Sequence, residues 1–501
     1  MTDVIHKEAN PPTGNVPAVA GGPAAAPNIK VAPIIATLVV TAFVMILNET
    51  VLSVALPTLI VELGITAVTA QWLSTGFMLT MAIVIPTTGF LLNRFSTRTV
   101  FITALSSFLV GTALCAVAPT FEILMAGRVV QAIGTAMVLP LLMTTTLALV
   151  PFQHRGTVMG LSSVVISVAP ALGPTISGIV LQNMGWNALF ILMLPIVLVA
   201  LVIGLVFIKN YNEPKPLTLD GLSVLIAALG FGGFVYGVAN LSAVIDGSAV
   251  VVPAAAFIIG LLALTAFVLR QTRLERTQGQ PLLNLRAFTV PTFRTSLIVV
   301  LVAMFSMLGT VVVLPIYMTS SLGVETITVG LALLPGGLAQ GVLSPVIGNL
   351  YDRIGPKPLV VPGALLMSLG FWLQFAFLDE NSTVGMVIGF NVVFNIGMAM
   401  VMTPLMTHSL GSLPRTLYAD GSAILNTLQQ LAAAIGTALF VALLTLGMSS
   451  AVSSGATERA AAASGLGWPF LVGGVLTLAA AALALTIRRL TAAPEEPAAT
   501  A

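Results

Sequence analysis

Two ionisable residues lie inside apolar runs: Glu49 in Leu47-Asn48-Glu49-Thr50-Val51-Leu52, and Arg128 in Leu124-Met125-Ala126-Gly127-Arg128-Val129-Val130-Gln131. A charge in hydrocarbon costs at least about 2.5 kcal/mol on insertion scales, so such a residue is by default functional. A buried carboxylic acid can take up and release a proton, whereas a guanidinium stays charged and can only bias its neighbours. Glu49 sits eight residues before Pro57, and Arg128 is near the start of its own run. At about 1.5 Å per helical residue, both fall roughly 8 to 12 Å below the outer surface of a bilayer. Proton exchange is the chemistry that these residue types and depths allow. The structural alternative is that Glu49 reaches the outer interface or forms a static pair with Arg128.

The elements that must hold these side chains are lipid-spanning helices. Only 7% of the 501 residues are charged, 19 Lys and Arg against 17 Asp and Glu, where a soluble protein carries about a quarter. Apolar runs of about 20 residues, each long enough to cross roughly 30 Å of hydrocarbon, recur fourteen times after Lys30. Lys and Arg concentrate in cytoplasmic loops, and with both termini inside, 17 of the 19 fall in the tails and inner loops. The expected class is an all-α polytopic membrane protein with 14 transmembrane helices arranged 6+2+6. Residues 1–30, rich in Pro, Ala and Gly, are expected to be a disordered cytoplasmic tail. A six-helix bundle over 31–208 follows, then an inserted helix pair over 209–270 and a basic cytoplasmic loop over 271–295. A second six-helix bundle spans 296–487, and 488–501 form a cytoplasmic tail.

The two bundles resemble each other. Pro86-Thr-Thr-Gly89-Phe-Leu-Leu-Asn93-Arg94 and Pro345-Val-Ile-Gly348-Asn-Leu-Tyr-Asp352-Arg353 agree at Pro, Gly, Leu and Arg at a constant offset. Repeated halves of this kind build midplane sites that open alternately to either side. At these residues the chain resembles the major facilitator superfamily, specifically its fourteen-helix drug:proton antiporters of the EmrB/QacA type. Gly89 to Arg98 is similar to that family's loop between helices 2 and 3, with Asn93 at the acidic position and Ser96 at a glycine. Asp352, Arg353, Gly355 and Lys357 keep the acidic and basic pattern in the second half. Leu124 to Gly134 is similar to the helix 4 motif, and Pro170-Ala-Leu-Gly173-Pro174-Thr-Ile-Ser-Gly178 to the helix 5 motif that marks antiporters. Leu47 to Pro57 is similar to the helix 1 motif of the fourteen-helix group, and Glu49 after Asn48 looks more like the lincomycin-resistance branch.

The resemblance implies that Glu49 and Arg128 face one cavity and couple transport to protons, Glu49 as the carrier and Arg128 tuning it. It implies gating roles for Gly173, Pro174, Gly178, Gly89, Arg94, Gly348, Asp352 and Arg353. A drug pocket needs apolar walls and a few polar groups. Asn48, Gln131, Phe305, Met307, Tyr317, Asn395, Asn426 and Gln429 are candidates. Asp420 falls at a helix start, where an acidic side chain suits the N-terminus.

The expected function is proton-coupled efflux of amphiphilic drugs across a bacterial cytoplasmic membrane. Export of an endogenous metabolite, lipid or peptide is an alternative, and a ligand sensor that does not transport is another. No Lys follows a Gly, so the chain has no phosphate-binding Gly-Lys loop. The single Cys115 rules out an intrachain disulfide, and the three His have no metal-ligand spacing. An enzyme, a cofactor, a metal site and a nucleic-acid partner are not expected. The expected partners are small drug-like molecules, protons and the lipid bilayer, met by a monomer.

Overall fold

Apolar runs of these lengths can satisfy their backbone polar groups in lipid only by coiling into helices. The computed structural model describes residues 31–489 apart from 211–213, 242, 243, 245, 246, 248, 249, 279 and 280. The two tails are therefore largely outside the described residues, as is Asp246. In chain order the helices are α1 (Val31–Glu62), α2 (Ala67–Arg94), α3 (Thr97–Ala116), α4 (Phe121–Leu149), α5 (Arg155–Met184), α6 (Asn187–Ile191), α7 (Met193–Phe207) and α8 (Gly221–Ala239). They continue as α9 (Val251–Gln278), α10 (Pro291–Ser320), α11 (Thr326–Ile354), α12 (Lys357–Phe377), α13 (Val384–Gly411), α14 (Tyr418–Ser453), α15 (Glu458–Gly465) and α16 (Gly467–Ala484). Among the described residues, fourteen spans are long and apolar enough to cross a membrane, with α6 and α7 together making one and α15 and α16 another.

Polar residues set the helix starts. Thr66, Ser96 and Thr457 accept hydrogen bonds from the backbone N–H groups of Thr69, Thr99 and Ala460, at 3.1, 3.3 and 3.3 Å, satisfying donors that a helix start leaves unpaired. The basic segment expected over 271–295 is partly helical, because α9 continues to Gln278 and α10 begins at Pro291. Proline at the first position suits α10, since the missing N–H would have no intrahelical partner there.

Between the first six spans and the last six, the most extensive pairing is α5 on α11, supported by α2 on α14 and α4 on α14. Glycine permits the first of these. A Cβ at Gly156 or Gly348 would meet the other residue's backbone carbonyl, so the two helices touch main chain to main chain. Helices α8 and α9 pack on each other, and α8 also packs on α2 and α14. With an even number of crossings, Val31 and Ile487 lie on one face, here called the terminal face.

Candidate functional site

The six helices α1, α2, α4, α5, α10 and α14 enclose a cavity of about 360 Å³ between the two halves. Its floor toward the terminal face includes Ile85, Pro140 and Asn426. Met78 and Val311 line it and are 51% and 46% exposed. Glu49, Thr50, Ser74, Phe77, Arg128 and Thr135 contribute the first half's polar and aromatic surface, and Met304, Met307, Leu308, Asn426, Gln429 and Gln430 belong to the second half's wall.

Glu49 and Arg128 thus share one cavity, but they are not an ion pair. Among the described residues the ion pairs are Arg270 with Asp220 and Arg286 with Glu275. Arg128, 1% exposed, donates from Nη1 to Asn48 Oδ1 at 3.0 Å and to Gln131 Oε1 at 3.1 Å. Gln131 Nε2 in turn donates to Thr112 Oγ1 at 2.8 Å. The Phe77 ring lies against the guanidinium, 4.0 Å from its central carbon to the ring centroid, a separation at which cation–π attraction is appreciable. Arg128 is therefore anchored by neutral amides and an aromatic face. Glu49 makes no hydrogen bond among the described residues and presents its carboxylate to the cavity.

Gly173 serves this corner. A Cβ there would collide with Thr50, so the glycine lets α5 pass directly beside the residue that follows Glu49. Gly178 has open space where a Cβ would stand and makes no comparable approach. The side chain of Pro174 lies outside the described residues.

The candidate pocket residues divide. Met307, Asn426 and Gln429 line the cavity. Asn48 and Gln131 stand behind Arg128 as its supports. Phe305 packs edge-on against Phe440 at 5.5 Å, Tyr317 donates its hydroxyl to the Asp379 carbonyl at 2.6 Å, and Asn395 is tied to Asn391; none of these three is in the cavity wall. Six of the eight candidates lie in the second half, whereas most of the wall comes from the first. Phe77, Met78 and Met81 were missed; their helical spacing is the same in a lipid-facing stripe and in a cavity wall.

The floor is closed by hydrogen bonds between the halves. Asp352, at the end of α11, accepts from Gly156 N, Thr157 N and Thr157 Oγ1 at 2.8, 2.9 and 2.8 Å, so its charge faces the positive end of the α5 dipole. Asn93 Nδ2 donates to Asp420 Oδ2 at 3.2 Å, and Asn284 N donates to Asp420 Oδ1 at 2.9 Å. Gly89 lets α2 pass close to Asp420 and Ala423. Buried Arg155 donates to the Tyr418 hydroxyl at 3.1 Å and to the Val150 and Leu147 carbonyls. Above these, Thr403 bonds Ser163 at 2.8 Å and Thr144 bonds Ser422 at 3.3 Å. Arg94 lies 5.6 Å over the Phe95 ring, and Arg353 is exposed, with its backbone carbonyl receiving Arg489. Neither makes an ion pair among the described residues.

The segment after α9 joins this closure. Gln271 Oε1 accepts from Leu282 N and Leu283 N at 2.7 and 3.3 Å, which presents the neighbouring Asn284 amide to Asp420. Arg270 holds Asp220 through two contacts, 2.8 and 3.0 Å. That hydrogen-bonded guanidinium keeps the Asp220 carboxyl below the usual aspartate range, so this clamp stays charged at neutral pH.

Comparison with known proteins agrees with this architecture. Residues 38–437 and 297–501 match the family described as the Major Facilitator Superfamily. The lincomycin resistance protein LmrB of Bacillus subtilis (strain 168) is 40% identical over 425 residues, 85% of this chain and 88% of that protein. The multidrug resistance protein B homolog of Mycobacterium tuberculosis (strain ATCC 25618 / H37Rv) is 29% identical over 401 residues, 79% of this chain and 73% of its own. Among solved structures, the proton:xylose symporter XylE superposes with a TM-score of 0.63 at 15% identity, covering 92% of this chain and 96% of that one. The human organic anion transporter MFSD10 gives the same TM-score and identity over 91% and 99%. At that identity they speak to the fold alone. Two six-span halves closing on one side of a shared cavity, together with these sequence matches, make this chain a member of the major facilitator superfamily, a multi-pass secondary transporter and not an enzyme.

Proposed function

We propose that this transporter exports amphiphilic drugs across a bacterial cytoplasmic membrane in exchange for protons, with both termini in the cytoplasm and a monomer as the working unit. The single observation that carries the coupling is Glu49: a carboxylate in the cavity wall, without a hydrogen bond or ion pair among the described residues, beside an Arg128 whose bonds go to neutral Asn48 and Gln131. A carboxylate already locked to a guanidinium would have little reason to take a proton. The names of relatives that confer lincomycin or multidrug resistance support a drug as cargo. The concentration of Lys and Arg on the terminal face supports a cytoplasmic placement of that face.

The cycle follows from the closed floor. With the cavity open outward, substrate leaves and a proton from outside binds Glu49. The two halves then rock, the floor parts, and substrate entering from inside displaces the proton to the cytoplasm. Because Glu49 carries either the proton or the substrate's charge, the cavity does not cross the membrane with a bare carboxylate.

Wild type and Glu49→Gln reconstituted in liposomes under a pH gradient test this, with internal pH and uptake of cationic dyes and lincosamides followed together. The expected result is substrate-triggered proton movement in the wild type that is lost in the variant, while the variant still inserts. Unchanged proton-coupled transport in Glu49→Gln would sink the proposal.

A further inference from the structure

No described residue of the inserted pair α8 and α9 lines the cavity, yet the pair is bonded to both halves at the terminal face. Toward the first half, Lys215 in the chain before α8 donates its N–H to the Asn93 carbonyl at 2.9 Å. That carbonyl is among the last of α2, which have no partner within the helix. Tyr236 of α8 stacks on Trp72 of α2, ring centroids 5.9 Å apart, so the pair is fastened to α2 near both ends of α8. Toward the second half, the chain after α9 presents the Asn284 N–H to Asp420 Oδ1 of α14 at 2.9 Å. Packed helices such as α8 and α14 can slide past one another, whereas this bond must break for the elements to part.

Gln271 of α9 aims that donor. It is 1% exposed, and its side-chain amide joins two segments: Nε2 donates to Ser223 Oγ of α8 at 2.8 Å, and Oε1 accepts from Leu282 N and Leu283 N at 2.7 and 3.3 Å. Ser223 in turn donates to Asp220, which Arg270 grips. A continuous set of bonds therefore runs from the start of α8 through Gln271 to the residue beside Asn284. At the far end one carboxylate is shared: Asp420 Oδ1 takes the Asn284 N–H, and Oδ2 takes the amide of Asn93 across the floor.

We propose that the inserted pair is a strap across the terminal face: anchored on α2, it latches α14 through the Asn284 N–H, and Gln271 is the positioning residue that presents the latch. Parting the floor separates α2 from α14 at this face, so the strap must let go of Asp420 each time the cavity opens there. The pair thereby weights the equilibrium toward a closed floor. This role is independent of the cargo and of whether protons drive its export.

The test follows thiol labelling of a cysteine introduced at the fully buried Ser422 of α14, in the purified full chain. While the closed form predominates, the labelling rate follows the open population. Asn284→Pro deletes the donor, and the φ of −81° at Asn284 is close to the value proline imposes. Asn284→Ala keeps the N–H and loses only the side chain with its bond to Arg286 N, so the pair of variants isolates the latch. Labelling is expected to rise about tenfold in Asn284→Pro, the scale of one hydrogen bond to a charged group, and to stay within about twofold of the parent in Asn284→Ala. Gln271→Met, close to glutamine in size, is expected to act like Asn284→Pro. Gln271→Glu keeps an acceptor for Leu282 and Leu283 and is expected to label like the parent. Equal labelling in Asn284→Pro and Asn284→Ala overturns the inference. So does a Gln271→Met chain that melts at a lower temperature in detergent but labels like the parent, because Gln271 would then be a packing residue only. Should Asn284→Pro fail to fold, the contrast between Gln271→Met and Gln271→Glu decides.

Discussion

At the residue scale the site depends on what Arg128 is not bonded to. Its acceptors are the side-chain oxygens of Asn48 and Gln131, 3.0 and 3.1 Å away, and both belong to uncharged amides. That arrangement buries a cation while sparing Glu49. Asn48→Ala is expected to remove an acceptor from a buried guanidinium and cost about 1.5–3 kcal/mol of stability, the range for bonds to charged groups, read as a lower melting temperature in detergent. Asn48→Asp keeps the acceptor and is expected to restore the melting temperature. It also sets a second carboxylate next in sequence to Glu49 and supplies Arg128 with an ionic partner, so transport coupled to protons is expected to fall. Parallel losses of stability and coupling in both variants would show Asn48 to be only a packing residue. The sequence marked Asn48 and Gln131 as polar groups in an apolar setting but gave them to the substrate. Which way an amide points is set by neighbouring helices, and α1, α3 and α4 meet only in the folded chain.

At the element scale, closure of the terminal face rests on two unlike junctions. Asp352 of α11 meets the start of α5, whereas at the other junction the acid is Asp420 of α14 and the facing residue of α2 is the amide Asn93. The absence of an acid at position 93 is thus matched by an acid across the interface. Asn93→Asp would place two carboxylates where a 3.2 Å hydrogen bond now stands, and like charges at that distance repel strongly. The expected result is a floor that opens more often, read as faster thiol labelling of a cysteine introduced at Ser422, which now bonds Thr144. Native Cys115 is fully buried and gives little background. Unchanged labelling would mean that Asp420 does not hold the floor. The departure at Asn93 was visible in sequence. Its compensation was not, because Asp420 at a helix start reads equally well as a dipole partner, and its bonds to Asn93 and Asn284 span 327 and 136 residues.

At the scale of the whole molecule, closure on the terminal face is a consequence of helix approach. Where α5 and α11 carry Gly156 and Gly348 they touch main chain to main chain, and a side chain at either position would meet backbone. Gly348→Val is therefore expected to wedge the terminal face apart and abolish transport, while the chain still inserts, since the span keeps its length and apolar character. Wild-type transport in that variant would show that the contact is not needed for closure. The solvent, the number of spans, the repeat between the two halves and the helices that bear Glu49 and Arg128 are legible in the amino-acid order, because lipid imposes helix length and hydropathy locally, residue by residue. Folding, not local sequence, settles which residues line the cavity, that Arg128 bonds neutral amides while Glu49 has no hydrogen bond among the described residues, and that the halves close on the terminal face. Those depend on rotation about each helix axis and on contacts between segments hundreds of residues apart, and an almost wholly apolar helix carries little periodic signal to say which of its sides faces protein and which faces lipid.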